Sequence, residues 1–181
     1  MTDILIAYGT KHGSTIEVAE AIGAALRDSG HGVDVAAAAD VRALDGYRAV
    51  VLGGALYMGR LHQDAAGFLK RHRRALEELP LAVFAMGPKT MAKADVAASR
   101  KQLDHALAAV PELTPVAVAI FGGVVDPSKL RFPFKRMPAS DARDWDAPSA
   151  PGVATSPFSL PARSWRCWCE RARKTRSPCC G

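Results

Sequence analysis

Ile4-Leu5-Ile6-Ala7-Tyr8-Gly9-Thr10-Lys11-His12-Gly13-Ser14-Thr15 is the stretch that decides how this chain folds. Its first five residues are apolar without interruption, the mark of a strand buried on both faces of a parallel sheet. The run breaks at Gly9. A helix pattern follows, with Ile16, Ala19, Ile22, Gly23 and Leu26 at spacings of three and four on one face. Ser14 with Glu17 three residues later predicts a capping box, and Gly30 suits the C′ position. The joining loop sets the hydroxyls of Thr10, Ser14 and Thr15, with a run of backbone N–H groups, at a helix N-terminus, which is a ready anion site. No Lys-Ser/Thr pair follows Gly13, so this is not a P-loop, and Gly9 and Gly13 do not fit the G-x-G-x-x-G dinucleotide pattern. Two readings remain: a cradle for one phosphate monoester, or a helix merely capped by Ser14 after a turn at Gly13.

The pattern repeats outward. Val33-Asp34-Val35, Ala49-Val50-Val51-Leu52, Leu81-Ala82-Val83-Phe84-Ala85 and Val116-Ala117-Val118-Ala119-Ile120-Phe121 read as further strands. Ala65, Phe68, Leu69, Leu76 and Leu79 line one helix between them, and Val96, Leu103, Leu107 and Val110 face the core from another. Five strands with helical crossovers predict an α/β fold with a doubly wound parallel sheet covered on both faces. Ligands of such sheets bind at the carboxyl ends of the strands. Gly9, Gly53-Gly54, Gly87-Pro88 and Gly122-Gly123 all stand at those ends.

With 181 residues the chain suits one domain with a proper core; 49% of it is apolar, 23% is charged and mean hydropathy is near zero. No run approaches the ~18 apolar residues of a membrane span. The start lacks a basic n-region and a long apolar run, so no secretory signal is expected. The net charge of +6 is local: in residues 148–181 Arg163, Arg166, Arg171, Arg173, Lys174 and Arg176 face Glu170 alone, which leaves residues 1–147 at +1. A basic pI therefore argues nothing for nucleic-acid binding by the body. Cys167, Cys169, Cys179 and Cys180 also lie in the tail, without paired C-x2-C spacing, so no metal site is expected and the body holds no thiol nucleophile.

After Gly123 the pattern fades into a loop over residues 124–147. It carries Lys129-Leu130-Arg131-Phe132-Pro133-Phe134-Lys135-Arg136-Met137, four bases and no acid among apolar side chains. That combination suits either docking on an anionic or quinone-bearing membrane surface or a loop packed on the body. Asp144-Trp145-Asp146 reads as the approach to a last helix, but Pro148 and Pro151 block it. Residues 1–147 are thus expected to form the domain, with part of one sheet face lacking its usual cover. Residues 148–181 read as an unstructured basic tail whose composition is what a frameshift would leave.

The loop Thr10-Lys11-His12-Gly13-Ser14-Thr15 resembles the flavodoxin phosphate loop, T-x-T-G-[NS]-T, with His12 where the motif has a hydroxyl. The resemblance continues through Gly53-Gly54-Ala55-Leu56-Tyr57-Met58-Gly59-Arg60 and Met86-Gly87-Pro88, and ends at Trp145-Asp146. The basic-aromatic segment and the D-W approach are most similar to the flavodoxin-type, menaquinone-dependent protoporphyrinogen dehydrogenases. The resemblance implies a flavodoxin-like sheet of order 2-1-3-4-5 and FMN as cofactor. It implies that Thr10, Lys11, His12, Gly13, Ser14 and Thr15 hold the phosphate, while Ala55, Leu56, Tyr57, Met86, Gly87 and Pro88 meet the ring. It implies a porphyrinogen substrate with a quinone acceptor, in haem biosynthesis, and a cytoplasmic protein that touches the inner face of the membrane. A one-electron carrier serving a redox partner protein, and a remnant that binds no flavin, are the alternatives.

The chemistry of the positions suits a flavin. Tyr57 can stack on the ring, although a plain surface tyrosine reads the same way. Backbone N–H groups of the Gly87 loop would face the N1–C2 edge, and Gly53, Gly54 and Gly87 would let the backbone approach the ring. Met86 reads more readily as core filler at a strand end. No side chain is a recognisable acid–base catalyst, since the flavin carries that chemistry. His31, His62 and His105 are expected at the surface, as is the basic face Lys70-Arg71-His72-Arg73-Arg74.

Overall fold

Continuous apolar runs become strands, and periodic ones become helices that cover them. The computed structural model describes residues 3–10, 13–57, 59–88, 90, 92–125 and 140–141. In chain order the elements are β1 (Ile4–Gly9), α1 (Ser14–Asp28), β2 (Val33–Ala37), β3 (Ala49–Tyr57), β4 (Arg60–Leu61), α2 (Gln63–Arg71) and α3 (Arg73–Glu78). They continue with β5 (Leu81–Met86), α4 (Lys93–Leu107), β6 (Ala117–Phe121), β7 (Val124–Val125) and β8 (Ser140–Asp141). The parallel strands are ordered β2-β1-β3-β5-β6, with β4 folded back antiparallel on the end of β3. Counting parallel strands alone, this is the expected order 2-1-3-4-5.

Two apolar layers flank the sheet. On one side Leu5, Ala7, Val50, Leu52, Val83 and Ile120 pack against Phe68, Leu69, Leu76 and Leu103 of α2, α3 and α4. On the other, Ile4, Ile6, Val51, Phe84 and Phe121 share a layer with Val18, Ala19, Ile22 and Leu26 of α1. The crossover from β2 to β3 is made of turns and not of a helix, with Val41 and Leu44 buried in the first layer.

Several local expectations are corrected. The capping box does not form: Gly13, not Ser14, is the N-cap of α1, in the left-handed region at φ 92°, and no side chain caps the helix there. The C-terminus is as expected. Gly30 at φ 85° lets its N–H reach the Arg27 carbonyl and the His31 N–H reach the Leu26 carbonyl, a Schellman closure.

The single helix expected over Ala65–Leu79 is two, broken at His72. His72 is 8% exposed, its Nε2 lies 3.2 Å from the Val41 carbonyl oxygen, and its ring packs on Phe68 at 4.8 Å between centroids. Burial pushes its pKa down, against the pull of the Val41 carbonyl, and the charge of Arg71 lowers it further. Arg71 donates from Nη2 to the Ala38 carbonyl at 2.6 Å. The basic run is therefore not simply a solvated face: two of its members tie α2 to the β2–β3 crossover. In that crossover the Tyr47 hydroxyl donates to Asp34 at 2.9 Å, and burial, with that bond and charge, raises its pKa.

Over β5 and β6 no described helix covers the α1-side layer, yet its side chains are buried. Phe84, Met86, Ala119 and Phe121 are all buried, although α1 is the only described helix that adds buried residues to that layer. Part of the cover is internal, since the Phe84 ring fills the space beside Gly53 and meets Phe121 edge-on at 5.7 Å. Residues 124–147 are not all loop, because β7 and β8 pair antiparallel, Val124 with Asp141 and Val125 with Ser140. The Lys129–Met137 segment, Trp145-Asp146, the four cysteines and the rest of the tail lie outside the described residues. Among the described residues no helix is long and apolar enough to cross a membrane.

Candidate functional site

Strand register brings the expected loops to one end of the sheet. Gly9 pairs with Gly54, Ala55 with Met86, and Met86 with Phe121, so β1, β3, β5 and β6 end together. The first loop is built around Gly13. Its N–H is held by the Thr10 hydroxyl oxygen at 3.1 Å, and its carbonyl accepts from Ile16 N–H at 3.0 Å. A side chain at position 13 would meet nothing within 4 Å, but the positive φ would strain it. Thr10 thus shapes the loop as well as bordering it. Lys11 and His12 lie outside the described residues.

Thr15 is the most telling residue here. It is 0% exposed, and its hydroxyl has no hydrogen-bond partner among the described residues. Burying a hydroxyl without a partner costs about 1–3 kcal/mol. Standing in the first turn of α1, where Ser14 and Thr15 carry N–H groups with no intrahelical acceptor, it is the kind of donor an anion satisfies.

The second loop is a hairpin end. Ala55 accepts the His62 N–H at 2.8 Å, Leu56 pairs with Leu61, and Tyr57 pairs with Arg60. Tyr57 is 43% exposed, one of two large apolar side chains so exposed among the described residues. The third loop meets it: a Cβ on Gly87 would lie 2.9 Å from Leu56 Cδ1 and 3.0 Å from Ser99 Oγ. Pro88 is buried, and its carbonyl accepts Gly123 N–H at 2.8 Å.

Two sequence expectations change and a third holds. Gly87 N–H is committed to the Phe121 carbonyl at 3.1 Å, so it fixes the loop and is not left for a ring edge. Gly53 and Gly54 leave room for the protein's own side chains: a Cβ would meet Phe84 Cζ at 2.1 Å at the first and Leu61 Cδ1 at 2.4 Å at the second. Met86 is 2% exposed and belongs to the α1-side core, as the core-filler reading has it.

The sequence reading missed His62. It is no surface residue; its Nδ1 accepts Asp64 N–H at 3.3 Å and caps α2. The start of α2 presses on the first loop, where a Cβ on Gly9 would lie 2.9 Å from Ala65 N and 3.2 Å from His62 Nδ1. A polar residue directly before a helical period was the available signal.

A five-strand doubly wound sheet with a hydroxyl-bearing loop at the first strand's end, a hairpin tip and a proline-bearing loop beside it defines a flavodoxin-type nucleotide site. Residues 5–138 match the family model described as Flavodoxin domain, and the chain belongs to that family. The fold is similar to that of solved flavodoxins. A cysteine-to-serine mutant of flavodoxin from Pseudomonas aeruginosa is 18% identical, with 67% of this chain and 84% of that one covered and a TM-score of 0.51. Oxidised flavodoxin 2 from Bacillus cereus is 24% identical over the same shares, also at 0.51. Oxidised flavodoxin 1 from Bacillus cereus is 17% identical, covering 71% and 89%, at 0.51. No curated protein matches the sequence. Family membership implies FMN as cofactor, and the first loop fits its phosphate. Thr15 has a buried donor to give, and Gly13 holds the loop open.

Proposed function

We propose that this chain is an FMN-dependent oxidoreductase with a small substrate of its own, a porphyrinogen, and a quinone as electron acceptor. The observation that carries the flavin part is the buried hydroxyl of Thr15 in the first turn of α1, which has no hydrogen-bond partner among the described residues. When bound, FMN supplies hydride or electron transfer. Thr15 and the N–H groups of Ser14 and Thr15 would hold the phosphate, while Thr10 keeps the Gly13 N–H turned into the loop. Tyr57, exposed at the hairpin end, would cover the ring and exclude water from one face. The Gly87 and Gly123 N–H bonds would keep the third loop rigid against it.

The substrate class rests on the basic-aromatic segment Lys129–Met137 and on a body that carries only +1. A carrier that docks on basic partners gains from an acidic surface, which this body lacks. The segment itself would bring the protein to an anionic membrane surface where quinones reside. Turnover of protoporphyrinogen with a soluble quinone by the FMN-loaded protein tests the reading. A yellow protein that exchanges electrons with a reductase but does not oxidise the porphyrinogen would be a carrier, and a protein that takes up no FMN would be a remnant.

A further inference from the structure

Beside the β3–β4 hairpin that forms the second flavin loop, a cleft of about 470 Å³ opens between α2 and α4. Its floor is apolar, made by Leu61 of β4, Leu69 of α2, Ala106 of α4 and Val110 just beyond it. Its rim is cationic. Arg60 and Lys70 are exposed there, His105 stands with them, and among the described residues no Asp or Glu lines the cleft. Neither Arg60 nor Lys70 forms an ion pair with a described residue.

Small-molecule sites have about 300–1,000 Å³, mostly apolar walls and a few placed polar groups. An apolar floor under two uncompensated cations selects one ligand chemistry. The ligand needs an apolar body to displace water from Leu61 and Leu69, and an anionic end to meet Arg60 and Lys70. A neutral apolar compound gains only the floor, and a hydrophilic anion only the rim. We infer that this cleft binds an amphipathic organic anion, its body on Leu61, Leu69 and Ala106 and its carboxylate or sulfonate at Arg60 and Lys70. The described residues of the first loop, and Ala55, Leu56 and Tyr57 of the second, do not line the cleft, so FMN and this anion would bind together. The inference does not depend on the substrate proposed above.

The test uses the full FMN-loaded chain, titrated with anilinonaphthalene sulfonate and followed by the probe's fluorescence. Phenylnaphthylamine serves as the same apolar body without the charge. One sulfonate probe should bind per chain without releasing FMN. Arg60→Gln with Lys70→Gln should weaken it by about tenfold, the equivalent of ~1.4 kcal/mol, and change the neutral compound less than about twofold. Ala106→Phe fills the floor and should weaken both probes; if that variant unfolds by circular dichroism, Ala109→Leu at the exposed edge replaces it. Decanoate should displace the probe where decanol does not. Unchanged sulfonate binding in the double variant overturns the inference, as does release of FMN by the probe. Equal affinity for the two probes overturns it as well.

Discussion

Replacing Gly53 with alanine adds one methyl group to the centre of the sheet, and the structure states what that methyl meets. Its carbon would lie 2.1 Å from Phe84 Cζ, 2.6 Å from Cε1 and 2.7 Å from Cε2. Carbon atoms in contact need ~3.5–4.0 Å, so the ring must retreat by more than about 1 Å. It has nowhere to go, being 1% exposed and set edge-on against the equally buried Phe121. Overpacking of this kind costs about 1–3 kcal/mol, and a clash shared by three ring atoms belongs at the upper end, about 2–3 kcal/mol. The cost should be read on FMN-free protein by urea unfolding, followed by far-ultraviolet circular dichroism. In a Phe84→Leu background the ring atoms are gone, and the same Gly53→Ala change should cost less than about 1 kcal/mol, a coupling of roughly 2 kcal/mol. Equal costs in both backgrounds would refute the packing argument. So would a Gly53→Ala protein of parental stability that had lost only its FMN affinity, since the glycine would then serve the cofactor.

Thr15→Val should leave FMN-free protein as stable or up to about 1–3 kcal/mol more stable, because an unpartnered buried hydroxyl disappears, while FMN affinity falls about tenfold; thermal melts with and without FMN separate the two effects. Thr10→Ala removes the acceptor for Gly13 N–H and should lower both stability and FMN affinity by about 1 kcal/mol, the affinity by flavin-fluorescence quenching. His72 is held neutral in the fold with its pKa below the usual ~6.5, so the unfolded chain takes up its proton first as pH falls. Stability should be full above that value and decline below it, and His72→Gln should flatten the decline in urea unfolding between about pH 7.5 and pH 5.5. A chain ended after Ala147 should match the full chain in melting temperature and FMN affinity, since a proline-rich basic segment with no apolar period offers little to offset an ordering cost of ~1–2 kcal/mol per residue.

The strands were legible because burial on both faces leaves continuous apolar runs, and Ile4–Tyr8 and Leu81–Ala85 needed no further context. Strand ends and caps were less so. Ser14 and Glu17 have the right identities for a capping box, but the left-handed turn at Gly13 starts the helix one residue early. The break at His72 was hidden because Phe68, Leu69 and Leu76 keep the apolar period of a single helix through it. At the break the side chains of Arg71 and His72 reach the carbonyls of Ala38 and Val41 from another part of the chain, contacts that no local pattern encodes. In the site, residue types pointed to a phosphate loop. Yet only coordinates show that Gly53 and Gly54 make room for Phe84 and Leu61, and that Gly87 N–H is already bonded. A glycine that admits a ligand and one that admits a neighbouring side chain are written with the same letter.

Strand β3 changes partners along its length. Through Gly54 it is bonded to β1 on one side and β5 on the other, whereas Leu56 and Tyr57 have only β4 as a strand partner. Local openings cost in proportion to the contacts they break. Amide hydrogen exchange should therefore slow sharply toward the sheet, fast at Tyr57 and, at Val51 or Leu52, requiring the whole domain to unfold. With Tyr57 covering the ring as proposed, cofactor exchange would follow the opening of this two-residue ribbon and not the unfolding of the sheet.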